Sequence, residues 1–187
     1  MPSAGPLTAH QCLGVGRQTL LTLRAALESE NAPQAVNHLT NAGFAGGAQV
    51  YQAFAAWLAA AYGVDRPGEL DQQHLGEVLS AFFTELGWGA LSSIRLAAPV
   101  LALDSTDWSE AMPEAGAPYP SCHLSSGMLA EFLGQLSGGV VGVMEVECRT
   151  RGDARCRFLA GAPETLTTIY EGMTQGLAYQ QVLGVIG

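Results

Sequence analysis

The sequence predicts a single α+β domain, in which N-terminal helices precede a mostly antiparallel sheet with interleaved helices. Two observations support this prediction. Apolar residues recur at helical spacing through the first half of the chain, and from residue 90 onward the pattern changes to short apolar runs separated by turns. We find no internal repeat, no low-complexity linker and no break in composition, so residues 1–187 are expected to form one domain.

Three helices are predicted in the first third of the chain. The first spans residues 13–27. The second begins at Asn31, a residue that caps helices well, and ends at Gly43, and the third spans residues 48–62. The side chains expected to face the core from these helices are Leu20, Leu23, Leu27, Val36, Leu39, Val50, Phe54, Trp57, Leu58 and Ala61.

The sheet is predicted in the second half of the chain. The expected elements are a helix over residues 71–86, strands over 90–96 and 100–103, a helix over 122–136, strands over 140–148 and 156–160, and a helix from Pro163. Ser121 is the expected N-cap of the helix that follows it. A polar turn over residues 149–155 would fold the two strands around it into a hairpin.

The charge balance of the chain argues against several classes of partner. Charged residues make up 13% of the sequence, about half of the usual ~25%, while apolar residues make up 48%. Such a chain tends to hide apolar surface in a pocket or at an oligomer contact. The net charge of −9 opposes binding to nucleic acid and to anionic lipid, since both partners are themselves negative.

The sequence contains no segment that predicts export or a membrane span. Residues 1–7 lack the basic and apolar parts of a signal peptide, and the longest apolar stretch, residues 53–62, falls short of the ~20 residues that a spanning helix needs. We therefore expect a cytoplasmic protein whose thiols stay reduced. The motifs G-x-S-x-G, H-E-x-x-H and G-x-G-x-x-G are all missing from the sequence, so we expect no enzymatic activity.

Three of the four cysteines fall in the C-terminal part of the chain. Cys148 and Cys156 flank the polar turn, which would bring their sulfurs to the same end of a hairpin. Cys122 can supply a third sulfur, and its place in the first turn of a helix would favour the thiolate that binds metal. Zinc is the ion that such ligands favour. Two alternatives stay open from spacing alone: buried small apolar cysteines, or a Cys148–Cys156 disulfide.

The fourth zinc donor has three candidates in the sequence, namely Glu145, Glu147 and His123. In a regular strand, side chains alternate between the two faces of the sheet, so Glu145 and Glu147 would share one face and Cys148 would lie on the other. A bulge, or the end of the strand, would be needed to bring Glu145 to the side of Cys148. Spacing does not choose among the three.

The complete pattern resembles the 4-vinyl reductase domain family. The resemblance is carried by Cys122, Glu145, Cys148 and Cys156, in that order, and by the motif G-D-x-x-C-x-F from Gly152 to Phe158. That family shares its fold with components of the vesicle-tethering TRAPP complex, and it includes sensor domains of bacterial activators that respond to phenol and other aromatic hydrocarbons. The resemblance is specific over residues 119–160. It implies that Glu145 is the fourth ligand of the zinc.

The resemblance also implies an apolar cavity enclosed beside the metal, and a homodimer. Four protein donors would fill the coordination shell, so the zinc would be structural. The candidate contacts for a small hydrophobic ligand are Tyr51, Phe54, Trp57, His74, Phe82, Trp88, Met128 and Phe132, for which the alternative is an ordinary core or, for His74, a solvated position. His10 and His38 are expected at the surface, and Cys12 is expected to pack rather than to react.

Three functions are compatible with these observations. The first is a binding module for a small aromatic or lipid-like molecule, which would act as a sensor through a partner protein because the sequence has no G-x-x-x-x-G-K-[ST] loop of its own. The second is an accessory or carrier protein in tetrapyrrole synthesis, as the name of the family suggests. The third is an interaction or scaffold role like that of the TRAPP components.

Overall fold

The computed structural model describes residues 12–70, 72–97 and 99–186, which leaves His10 outside the described residues. The helices are α1 (Arg17–Tyr62), α2 (Gln72–Glu85), α3 (His123–Ser137), α4 (Pro163–Thr174) and α5 (Tyr179–Ile186). The strands are β1 (Ser92–Ala97), β2 (Val100–Ser105), β3 (Gly142–Glu147) and β4 (Cys156–Gly161). Helices followed by an antiparallel sheet confirm the predicted α+β class.

The four strands form one antiparallel sheet in the order β1-β2-β4-β3. β1 and β2 form one hairpin, β3 and β4 form another, and the two hairpins meet where β2 pairs with β4. Leu103 lies opposite Phe158 in that pairing, and Ala102 lies opposite Leu159. Because side chains alternate along a strand, these two pairs point to opposite faces of the sheet.

Each face of the sheet is covered by its own group of helices. The main core lies between the sheet and α1–α3, and the minor core lies between the sheet and α4–α5. The main core includes Phe54, Trp57, Phe82, Phe83, Trp108, Met128, Phe132, Cys122, Cys148, Cys156 and Phe158. The minor core includes Val100, Ala102, Val146, Leu159, Leu166, Ile169, Tyr179, Val182 and Leu183.

Helix α1 corrects the predicted division of the N-terminal region. Asn31 leaves helical geometry (φ −160°, ψ 96°), and its side-chain oxygen accepts a hydrogen bond from the Gln34 N–H at 3.2 Å, so the predicted N-cap is confirmed. The predicted stop at Gly43 is wrong, because the helix continues to Tyr62. The predicted inward faces are also partly wrong, since three of their side chains are exposed, namely Leu23, Val36 and Ala61.

Gly43 is needed for packing rather than for a helix end. A Cβ atom built on Gly43 would lie 1.9 Å from the carbonyl oxygen of Leu124 in α3, and one built on Gly127 would lie 1.9 Å from the carbonyl oxygen of Thr40 in α1. The two helices therefore touch backbone to backbone, which no larger residue permits at these positions. This contact fixes α3, and with it the residues at its N-terminus, against α1.

No helix among the described residues has the length and apolar character required to cross a bilayer. The C-terminal region holds one element more than expected: the helix from Pro163 ends at Thr174, and α5 follows it. Tyr179, Val182 and Leu183 of α5 are buried against the sheet and α4. The short apolar spacing of this segment was not interpreted as a helix from the sequence.

Candidate metal centre

A bulge near the end of β3 determines which side chains face the main core. Glu145 lies opposite Phe158, but the next paired residue is Glu147, which lies opposite Arg157, so the register shifts between them. The extra residue, Val146, packs in the minor core. As a result Glu145 and Cys148 share the main-core side, and Glu147 lies on the other side. The sequence raised this bulge as a condition for Glu145 to be a ligand.

The bulge brings four donors together. One ligand atom from each of Cys122, Glu145, Cys148 and Cys156 lies within 4.8 Å of the others. The sulfur of Cys122 is 3.8 Å from that of Cys148 and 3.9 Å from that of Cys156, and all three cysteines are buried. Sulfurs at a bond length of ~2.3 Å around a tetrahedral zinc would lie about 3.8 Å apart. The described sulfurs therefore match the edges of a zinc tetrahedron.

The two oxygens of Glu145 have different surroundings. Oε2 accepts hydrogen bonds from the backbone N–H groups of Ser121 at 3.0 Å and Cys122 at 2.8 Å, which are available because α3 begins there. Oε1 is buried and has no hydrogen-bond partner within the described part of the chain. A buried carboxylate oxygen without a partner is costly unless a cation binds it. This orphaned oxygen, beside three sulfurs, is the local observation that fits a metal ion.

The β3–β4 turn is built to hold two of the sulfurs. The Cys148 N–H donates to Asp153 Oδ2 at 2.7 Å, and the Cys148 carbonyl accepts from the Arg151 N–H at 2.9 Å, which closes a tight knuckle. Gly152 takes the left-handed conformation that this turn requires (φ 100°). The buried Thr150 hydroxyl donates to the Cys148 sulfur. Such donors stabilise a thiolate.

Without a cation the four groups compete for charge. Burial raises the pKa of Glu145 to about 8. The neighbouring sulfurs of Cys148 and Cys156, together with burial, raise the pKa of Cys122 well above its usual range. Hydrogen bonds from Cys122 and Cys156 lower the pKa of Cys148. Protons thus replace the positive charge that a metal ion would supply to the same four atoms.

A second carboxylate, which no sequence pattern predicted, holds the N-terminus of α3. Glu110 is fully buried and accepts hydrogen bonds from the N–H groups of Leu124 at 3.1 Å and Ser125 at 2.8 Å. The Arg24 guanidinium donates to the Glu110 carbonyl at 3.0 Å and to the Ser121 hydroxyl at 3.1 Å. The predicted cap by Ser121 is therefore wrong, since the two carboxylates take that role. Nothing in the local pattern around Glu110 distinguishes it from a loop acid.

The remaining cysteine and histidine predictions have different outcomes. No disulfide joins Cys148 to Cys156, and within the described part of the chain no cysteine belongs to a disulfide. His123 follows Cys122 but contributes no atom to the cluster, and Glu147 faces away from it. Cys12 lies apart from the cluster and packs against the main core. His38 is exposed.

The residues predicted to contact a ligand lie mostly inside the main core. Phe54, Phe82 and Phe132 are buried and form mutual ring contacts, with centroids 5.1–6.4 Å apart. Trp57 and Met128 are buried, Tyr51 meets Phe132 edge-on, and Trp88 stacks on Trp108. His74 is exposed on α2. The structure brings seven of the eight into one region and leaves His74 outside it.

Comparison with known families assigns the part of the chain that holds the cluster. Residues 107–162 match the family model of the 4-vinyl reductase domain. All four clustered donors lie within this matched segment, which confirms the family resemblance recognised from the sequence. No curated protein matches the chain.

Two solved structures resemble the fold around the matched segment. The phenol-responsive sensory domain of the transcription activator PoxR, solved with phenol, aligns with a TM-score of 0.59 at 19% identity, over 79% of this chain and 75% of that one. A vinyl-4-reductase family protein from Methanocaldococcus jannaschii aligns with a TM-score of 0.46 at 18% identity, over 64% of this chain and 66% of that one. At these identities the likeness to the PoxR domain concerns the fold.

Proposed function

We propose that this protein binds a small, uncharged, hydrophobic molecule, and that a structural zinc ion holds the fold around the binding region. The observation that carries the proposal is an apolar cleft of about 360 Å³ that adjoins the main core. Its volume is within the range of small-molecule sites. The phenol-responsive domain of PoxR offers a precedent for ligand binding on this fold.

The cleft lies at the end of the sheet remote from the four clustered donors. Its walls come from the segment before α2, the C-terminal half of α3 and the starts and ends of three strands, with Leu70, Leu75, Leu101, Leu133, Leu136 and Ala160 among them. Ser137 supplies the one side-chain hydroxyl of this lining, and no charged side chain belongs to it. An ionised ligand would lose its hydration there without compensation. A neutral aromatic or aliphatic molecule fits this chemistry.

A wider groove of about 760 Å³ between α2 and β1 is a poorer candidate. It is shallow, and its lining includes Glu77, Glu85 and the hydroxyls of Ser80, Ser92 and Ser93. Such a surface stays well hydrated and gains little from contact with an apolar molecule. The aromatic residues predicted from the sequence do not line either opening; they remain predicted contacts for a ligand that enters the main core through the cleft.

Zinc in this proposal has a structural role, and no catalytic role is proposed for the chain. Cys122 would tie the start of α3 to Glu145, Cys148 and Cys156 of the β3–β4 hairpin. When bound, the ion supplies positive charge to four anionic donors. Because one oxygen of Glu145 is already used by two backbone N–H groups, the donor set is complete at four.

Metal analysis tests the zinc. We expect the purified protein to contain one zinc ion per chain, measured by mass spectrometry of the metal. Cys148→Ser should lose the ion and much of the thermal stability, while Cys12→Ser, outside the cluster, should keep both. A Cys148→Ser protein with full zinc content and an unchanged melting temperature would exclude this site.

Filling the cleft tests the ligand. Calorimetric titration with phenol, toluene and octanoate should show binding of the neutral compounds and none of octanoate. Leu136→Trp should abolish that binding, whereas Val140→Trp, at a side chain that is 83% exposed, should not. Equal binding by both variants would show that the ligand does not occupy the cleft.

We also propose that the protein is a homodimer, which could pass a ligand signal to a partner protein. The support is an exposed side of α1 that carries no charge: residues 31–62 contain no Asp, Glu, Lys or Arg, yet Val36, Phe44 and Tyr62 are exposed. Two copies with a net charge of −9 repel each other least through an uncharged side. Light scattering should give a dimeric mass that Phe44→Glu reduces to that of a monomer and Tyr170→Glu leaves unchanged; a monomeric wild type would refute the dimer.

A further inference from the structure

A buried network of charges lies on the reverse side of the β3–β4 hairpin, behind the four clustered donors. Arg157 donates to both oxygens of Asp104, at 2.7 and 2.6 Å, and to the Tyr179 hydroxyl of α5 at 2.8 Å. The Tyr179 hydroxyl in turn donates to Glu147 Oε1, and Arg155 forms an ion pair with Glu147 at 3.0 Å. Two arginines balance two carboxylates, and one tyrosine of α5 completes the network.

The members of this network alternate in sequence with the donors. Arg157 directly follows Cys156, and Glu147 directly precedes Cys148, so each pair points to opposite faces of the sheet. The bulge at Val146 is what allows this for β3. It places Glu145 and Cys148 towards the main core and Glu147 towards Tyr179. One local distortion therefore serves both sites.

From this arrangement we infer that metal binding and the docking of α5 are coupled through the bulge in β3. The inference rests on the proposed zinc site. Without the ion, nothing compensates the crowding of Glu145 and the three sulfurs, and a strand relaxed to regular alternation would put Glu147 on the side of Glu145 and Cys148 on the other. Glu147 would then leave Tyr179. Zinc, by holding the bulge, holds the C-terminal helix on the sheet.

Hydrogen exchange of the zinc-loaded and the chelator-treated protein tests the direction from metal to helix. We expect the amides of α5 to exchange roughly tenfold faster or more without zinc. The amides of α2, which belongs to the main core and lies outside the hairpin, serve as the internal reference and should change less. Equal exchange of α5 in both forms, in a protein that has been shown to bind zinc, would overturn the coupling.

The reverse direction gives a second test that does not need a folded metal-free protein. Coupling between two sites is reciprocal, so weakening the docking of α5 must weaken zinc binding by the same factor. Tyr179→Phe removes the hydroxyl that joins Arg157 to Glu147, and it should lower zinc affinity about tenfold in competition with a chelator of known affinity. Tyr170→Phe, at a tyrosine of α4 that is 59% exposed, is the matched control.

The outcomes distinguish a failure of the coupling from a failure of the zinc site. Equal zinc affinities for Tyr179→Phe and Tyr170→Phe would refute the coupling and leave the zinc site intact. A wild-type protein that takes up no zinc at all would refute the site itself, and the coupling with it. Loss of affinity in Tyr179→Phe alone, together with faster exchange of α5 on zinc removal, is the expected result.

Discussion

The two sides of the sheet are built from different materials. The main core contains nearly all of the large, fully buried aromatic side chains, namely Trp108, Phe54, Phe82, Phe83, Phe132 and Phe158. The minor core is aliphatic except for Tyr179, and two short helices cover it. The four clustered donors face the main core, while the charge network lies on the opposite side. The difference indicates that the main core holds the fold together and the minor core attaches a smaller, more easily released unit.

The largest expected effect comes from truncating the centre of the main core. Phe132 makes ring contacts with Tyr51, Phe54, Phe82 and Phe83, so Phe132→Ala should lower the free energy of unfolding by about 3–5 kcal/mol. Ile169→Val in the minor core should cost about 1 kcal/mol. Urea denaturation measures both, and a larger cost for Ile169→Val would contradict the ranking of the two cores.

The backbone contact between α1 and α3 should respond next. Gly43→Ala would place a methyl group against the Leu124 carbonyl, which is backbone and cannot rotate away, and should cost about 3 kcal/mol. Gly46→Ala lies on the same helix, has nothing within 4 Å, and should stabilise the protein by about 0.5–1 kcal/mol. Opposite signs in thermal unfolding would support the contact; two stabilising substitutions would refute it.

A smaller effect depends on pH and concerns the buried acid of the main core. Burial raises the pKa of Glu110 from its usual value near 4.5 to about 7. The folded state thus holds the proton more tightly than the unfolded state, so the stability linked to this group is present below about pH 4.5 and is lost as the pH rises through 7. Glu110→Gln does not ionise.

The difference in unfolding free energy between Glu110→Gln and the wild type should therefore shift in favour of the variant by on the order of 2 kcal/mol between about pH 5 and about pH 8.5. Urea denaturation of both proteins at the two pH values measures this difference, and any dependence of zinc uptake on pH is common to both. A difference that stays constant over this range would mean that Glu110 is ionised throughout.

The sequence predicted the elements whose signals are local. Period and capping residues located the strands of both hairpins, the helix over α3 and the cap at Asn31. The clustered donors were also predictable, because the spacing of Cys148 and Cys156 across a turn and the family resemblance of the whole pattern pointed to one place.

The features that depend on distant contacts were not predictable in this way. Gly43 has the local character of a helix end, and only the approach of Leu124 explains why the helix runs through it. Glu110 caps a helix that starts 13 residues later, so no local capping motif contains it. The bulge at Val146 depends on the pairing with β4, and one sequence alone could state it as a condition but could not decide it.

The position of the donors along the chain has a consequence for synthesis on the ribosome. Helix α1 ends at Tyr62, whereas the last of the four donors is Cys156, so roughly 90 residues must still be translated before an ion can be captured, about 5–20 s at usual rates. During that interval the aromatic side of α1 has neither α3 nor the sheet to cover it. The nascent chain is thus expected to need a chaperone until its C-terminal hairpin emerges.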